Sequence, residues 1–113
     1  MSASPALQNP DPAAAYQETY DALGQAYWDA TDIDSKDRIH GAMEAIGDII
    51  TAYDEEDLAN NTALFLQLQP KIKAVNEALQ EIKDQITKIT KNISTATTVV
   101  SAISKVLSLA GGI

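Results

Sequence analysis

Cysteine is absent from all 113 residues. That one gap excludes a disulfide framework, thiolate metal ligation and a thiol nucleophile together. It leaves the redox compartment open, because a cysteine-free chain persists on either side of a membrane. Histidine occurs once, as His40. A lone imidazole with no second nitrogen or thiolate ligand near it is not expected to hold a metal or to run acid–base chemistry. Glycine is sparse, and Gly24, Gly41 and Gly47 stand isolated with no Gly-Lys-Ser/Thr and no Gly-x-Ser-x-Gly. A phosphate-cradling loop and a nucleophile elbow are therefore missing. No stretch approaches ~18 consecutive apolar residues, the minimum for a membrane-crossing helix. The start, Met1 to Pro12, is rich in Ser, Ala and Pro and has neither a basic region nor an apolar one, so no Sec-type signal is expected. The expected location is the cytoplasm, or outside it by a route that reads no such signal.

Basic residues are also scarce, at 8 against 16 acids, for a net charge of −8. A phosphate-binding face needs clustered Lys and Arg, so nucleic acid is not an expected partner. The acids themselves form no recognisable active site. Asp54 to Asp57 are consecutive and solvated, with no apolar pocket to raise one pKa. The cluster Asp29, Asp32, Asp34 and Asp37 fails as a calcium loop. A loop starting at Asp32 places Asp37 where glycine belongs and Met43 where a bidentate Glu belongs. The expectation is a non-enzyme with no catalytic residue, no cofactor and no metal.

What is present is charge asymmetry and helical periodicity. Residues 1–57 carry thirteen acids against Lys36 and Arg38, a net of −11. Residues 58–113 carry Glu77, Glu81 and Asp84 against six lysines, a net of +3. Such halves are expected to pack on each other, with the charges favouring the pairing. Residues 1–11 read as a flexible tail, and 12–113 as a single helical domain. Asp11-Pro12 makes a good helix start. Ala13, Tyr16, Tyr20, Leu23, Tyr27 and Ala30 then step by three and four, predicting one buried stripe. The segment 31–35 reads as a connector in which Asp34 or Ser35 caps a second helix bearing Ile39, Met43, Ile46, Ile50 and Tyr53. The acidic run Asp54–Asp57 suits the first turn of a further helix, and Asn60-Asn61-Thr62 a break.

The longest pattern follows. Phe65, Leu68, Ile72, Val75, Leu79, Ile82, Ile86, Ile89, Ile93, Ala96, Val100, Ile103, Leu107 and Ala110 fill every a and d position of one heptad register. Isoleucine at both a and d suits multi-helix packing better than a parallel coiled-coil dimer. After Asn92 the flanking positions turn to Ser, Thr and Val, and helix propensity is poorest across 94–100. Gly111-Gly112 ends the pattern. Two all-α architectures are compatible with this. One is a four-helix bundle in which the chain breaks near 92–95, and this is the expected fold. The other is an N-terminal hairpin plus one helix of about 60 Å from Pro70 to Ala110.

Function is then expected to lie in a surface. Partner binding or self-association is predicted through Ile86, Ile89, Ile93, Val100, Ile103 and Leu107, with Trp28, off the first stripe beside an acidic connector, as a candidate hot spot. The alternative is a secreted or membrane-active protein whose segment 94–113, weakly charged and apolar on a widened face, contacts lipid.

Overall fold

A computed structural model describes residues 12–111, so the expected tail over 1–11, the Asp11 cap and Gly112 lie outside the described residues. The chain forms an all-α bundle of four main helices. These are α1 (Pro12–Asp29), α2 (Ile33–Glu55), α3 (Thr62–Asp84) and α5 (Ile93–Gly111), with a single-turn α4 (Ile86–Ile89) between the last two. A 3₁₀ turn, Leu58–Asn60, joins α2 to α3.

Each junction has a local cause. Asp32, rather than Asp34 or Ser35, caps α2, because its extended backbone lets its carboxylate accept from the Ser35 N–H at 2.7 Å. That hydrogen bond holds the Asp32 carboxyl below its ordinary pKa. The acidic run does not open a helix. Asp54 and Glu55 finish α2, and Asp57 (φ 51°) turns the chain through the left-handed region into the 3₁₀ turn. Asn61 then caps α3, accepting from the Leu64 N–H at 3.0 Å. The third junction decides the architecture. At Gln85 the α3 ladder closes on shared bonds to the Glu81 and Ile82 carbonyls. One turn later Thr90 goes extended, and Asn92 caps α5 through its side chain to the Thr95 N–H at 3.2 Å. The heptad run is thus not one helix but α3, the single turn α4 and α5, interrupted at Gln85 and again at 90–92, the latter at the N-terminal edge of the expected 92–95.

Helix α1 packs on both α2 and α5, and α3 closes the bundle against the same two helices more sparsely. This placement rotates the buried face of α1. Tyr16, Thr19, Ala22, Leu23 and Ala26 are buried, while Tyr20, expected in the stripe, is 36% exposed and Tyr27 only half-buried. A helix flanked on two sides buries a wider arc, centred between its neighbours, than one seam would require. In α2 the buried set is likewise Ile39, Ala42, Ile46, Ile49 and Ala52, with Met43, Ile50 and Tyr53 at its edge. Leu79, Ile82, Val99, Ile103 and Val106 complete the core, each such side chain contributing roughly 1.5–3 kcal/mol on burial.

Polar groups inside this core have partners. Thr19, fully buried, shares its hydroxyl proton between the carbonyls of Ala15 (3.0 Å) and Ala102 (3.2 Å), the latter on α5. The Tyr16 hydroxyl donates to Asn76 on α3, and burial pushes its pKa up to about 12. Three ion pairs cross between the acidic and basic halves. They are Arg38–Glu81 (3.1 Å), Lys71–Asp48 (2.8 Å) and Lys105–Glu18 (3.0 Å). All are solvent-exposed, so each contributes at most about 1 kcal/mol and serves alignment more than stability.

Candidate functional site

The heptad positions of the last two helices part company at the break. Ile89 and Ile103 are buried inside the bundle, whereas Ile86, also buried, has its remaining surface in the lining of a groove. Ile93 does the opposite and is 81% exposed at the first turn of α5. Val100 and Leu107 are half-buried. The cause is a change of phase. Once the chain reverses, α5 is aimed by its packing on α1, and it buries Thr95, Val99, Ala102 and Val106. These positions precede the heptad set by one residue. A one-residue step turns a helix by about 100°, so half of the heptad stripe swings to the surface beside the core face.

The result is an apolar groove where α4 meets α5. Ile86, Thr87, Thr90 and Lys91 form one wall, and Ile93, Ala96, Thr97, Val100 and Ser101 the other. Its volume is about 570 Å³. The exposed lining is mostly apolar, and its polar residues are Thr87, Thr90, Thr97, Ser101 and Lys91. No lining residue is acidic, and none follows Asp84 anywhere in the sequence. Lys88 projects from α4, the same single turn as Ile86 and Thr87, and is exposed. Neither Lys88 nor Lys91 pairs with a carboxylate among the described residues. Asp84 accepts from Gln80 one turn back on its own helix.

The geometry at this end is fixed by Asp29, at the last residue of α1. Its carboxylate accepts from the Thr95 hydroxyl at 2.6 Å and from the Asn92 and Gln25 amides, both at 3.3 Å. The Thr95 hydrogen bond, foremost among these, lowers the Asp29 pKa. A carboxylate at the C-terminus of its own helix is badly placed for that helix's dipole. Here it meets the N-terminus of α5, whose partial positive charge it offsets. The Thr31 N–H also donates to the Ile89 carbonyl at 3.1 Å, tying the α1–α2 connector to α4. The start of α5, and with it Ile93 and Ala96, is therefore held to Asp29 through Thr95 and Asn92, while Thr31 holds the end of α4 just before it.

Trp28 is 76% exposed, as expected of a surface aromatic, but it lies apart from the groove. It packs edge-on to Tyr27 at 5.6 Å, and the Lys36 ammonium lies 4.6 Å from the Tyr27 ring and 5.9 Å from the Trp28 ring. These neighbours belong to the α2 side of α1, whereas Asp29 faces α5. His40 sits near Tyr27 on that same side, exposed and 3.4 Å from Glu44. Among the described residues, no three His, Asp or Glu side chains converge as metal ligands, and no helix is long and apolar enough to cross a membrane. A smaller hollow lies at the opposite end of the bundle, between Pro12, Tyr53, Leu58, Thr62 and Phe65.

Sequence reasoning located Ile86, Ile93, Ala96 and Val100 through the heptad, but did not join Thr87, Thr90, Lys91, Thr97 and Ser101 to them as one surface. The signal that joins them is the residue shift between the a/d set and the buried set, which only the chain reversal reveals. No family model, curated protein or solved structure matches this chain, so the reading of function rests on the chemistry of the groove.

Proposed function

We propose that this chain is a non-catalytic helical interaction module that receives an apolar helix stripe of a protein partner in the α4–α5 groove. The observation that carries the reading is Ile93. An isoleucine left four-fifths exposed, in line with half-buried Ala96 and Val100 and beside an apolar floor, is an unfilled heptad seam. Helix-in-groove recognition uses this arrangement, with anchors at i, i+3 or i+4 and i+7 from the incoming helix. The residues lining the groove support binding rather than bond-making, since its only ionisable group is a lysine and it has no nucleophile–base pair.

The lipid-contact alternative draws less support. Helix α5 commits Val99, Ala102, Ile103 and Val106 to the core, and Ile93, Ala96 and Val100 line a groove rather than a continuous outward face. An interfacial helix needs its apolar face free and outward.

The test is a titration of the ¹⁵N-labelled protein with an 18-residue amphipathic peptide carrying Leu at a and d positions. Amide shifts are expected to cluster over 86–101 and to vanish in Val100→Glu, a change at a half-buried groove wall. Shifts scattered over the molecule, or none at millimolar peptide, would defeat the proposal.

A further inference from the structure

Resting on that reading, we infer that the helix which fills the groove carries its apolar stripe between acidic flanks. The juxtaposition that assigns it is an apolar groove with Lys91 in its lining, and exposed Lys88 three residues before it, in a chain whose net charge is −8.

The argument starts from what the lysines are not doing. Arg38, Lys71 and Lys105 each meet a carboxylate of the other half of the chain. Among the described residues Lys88 and Lys91 do not, and neither do Lys73 and Lys83 on α3, but of these four only Lys91 lines the groove. The twenty-seven residues from Gln85 to Gly111 contain Lys88, Lys91 and Lys105 and no Asp or Glu. Within the groove lining the charged side chain is therefore Lys91, while the Asp29 carboxylate at the start of α5 is taken up by its hydrogen bonds to Thr95, Asn92 and Gln25. A partner bearing Lys or Arg beside its apolar stripe would meet like charge at the rim, and one bearing Glu or Asp would meet opposite charge. Complementarity of this kind sets association rate and partner choice more than total affinity.

Size and shape narrow the occupant further. The α5 wall runs from Ile93 to Ser101, about 12 Å along the helix axis, which is the length of two to three turns. A stable dimer of whole subunits buries roughly 800 Å² on each partner, far more than one short groove provides. A second copy also presents the wrong chemistry. Face to face, two grooves oppose Lys88 and Lys91 to their own counterparts. The exposed side of α2 is acidic through Asp37, Glu44 and Asp48 but carries no apolar ridge to enter a groove. A head-to-tail contact through Trp28 would build rings or open filaments rather than a two-fold dimer. A bilayer with anionic headgroups matches the lysines but not the concavity.

Two 18-residue peptides with identical Leu stripes, one flanked by Glu and one by Lys, test this by fluorescence anisotropy at low salt. The Glu-flanked peptide is expected to bind about tenfold more tightly, from two surface ion pairs gained against two repulsions. The ratio should approach unity in 1 M salt, where screening acts over about 3 Å. It should invert in Lys88→Glu/Lys91→Glu, whose fold is checked by circular dichroism. Equal binding of both peptides, or preference for the Lys-flanked one, overturns the inference while leaving the groove reading intact. Failure of both peptides to bind overturns the groove reading itself. Light scattering that shows a mass rising with concentration, and returning to monomer in Val100→Glu, would assign the groove to a second copy and overturn the inference. So would sedimentation with phosphatidylserine vesicles that is lost in Val100→Glu.

Discussion

At the scale of single residues, Asp29 combines the most roles. It closes α1, offsets the dipole of α5 and accepts from Thr95, Asn92 and Gln25. Folding lowers its carboxyl pKa below the ordinary 3.8, so the unfolded chain takes up the proton more readily. The stability this supplies is complete above the unfolded value and is lost as the pH falls through the lower folded one. Asp32, lowered by its cap to Ser35, follows the same sign. Asp29→Asn is accordingly expected to be less stable than the parent at pH 7 and to converge with it near pH 2. Urea unfolding at the two pH values checks this, and a gap that stayed constant would show that the charge is immaterial. The sequence displayed Asp29 as one of a run of connector acids. Gln25 is a neighbour, but Asn92 and Thr95 are more than sixty positions away, and no local pattern points to them.

The elements were legible in proportion to how far local chemistry determines them. Helix α2 and the Asn61 cap are visible as periodic apolar residues next to a capping side chain. The acidic run Asp54–Asp57 was misjudged because carboxylates favour a helix N-terminus by only about 0.3–1 kcal/mol. That preference yields to Leu58, whose buried side chain requires the chain to turn first. The fate of the heptad run was undecidable from periodicity, since a stripe of constant register is written identically for one helix or two. Extended Thr90 and the Asn92 cap settle it through tertiary packing. Within α3 the sequence also carries a local conflict. Pro70 lies nine residues into a helix of 23, exposed, and cannot donate to the Leu66 carbonyl. Because its ring packs on nothing buried, Pro70→Ala is expected to raise stability by about 1–3 kcal/mol. The measurement is the urea midpoint at unchanged slope. A lower midpoint would mean that α3 needs the interruption.

On the scale of the whole molecule, the same residue type has opposite worth at the two ends of one stripe. Ile103 is fully buried, and Ile103→Ala should cost about 2–5 kcal/mol. Ile93 is largely exposed, and Ile93→Ser should leave stability within about 0.5 kcal/mol. Thermal unfolding of the two variants separates a core position from a free seam, and a large loss in Ile93→Ser would place that side chain in the fold. The bundle as a whole was readable from composition and period, and its outer groove was not, because the groove is a by-product of how α5 seats on α1. That seating has a bearing on how the molecule is made. Synthesis proceeds from the N-terminus, so α1 and α2 leave the ribosome well before α5. In the interval the side of α1 that bears Thr19, Ala22 and Ala26 has nothing to rest against. Loop closure between the first and last helices must await residues near 106, so the nascent chain passes through a stage with bare apolar surface. A transcript interrupted after Asn92 would yield a product frozen at that stage, prone to clump and quickly cleared by proteases.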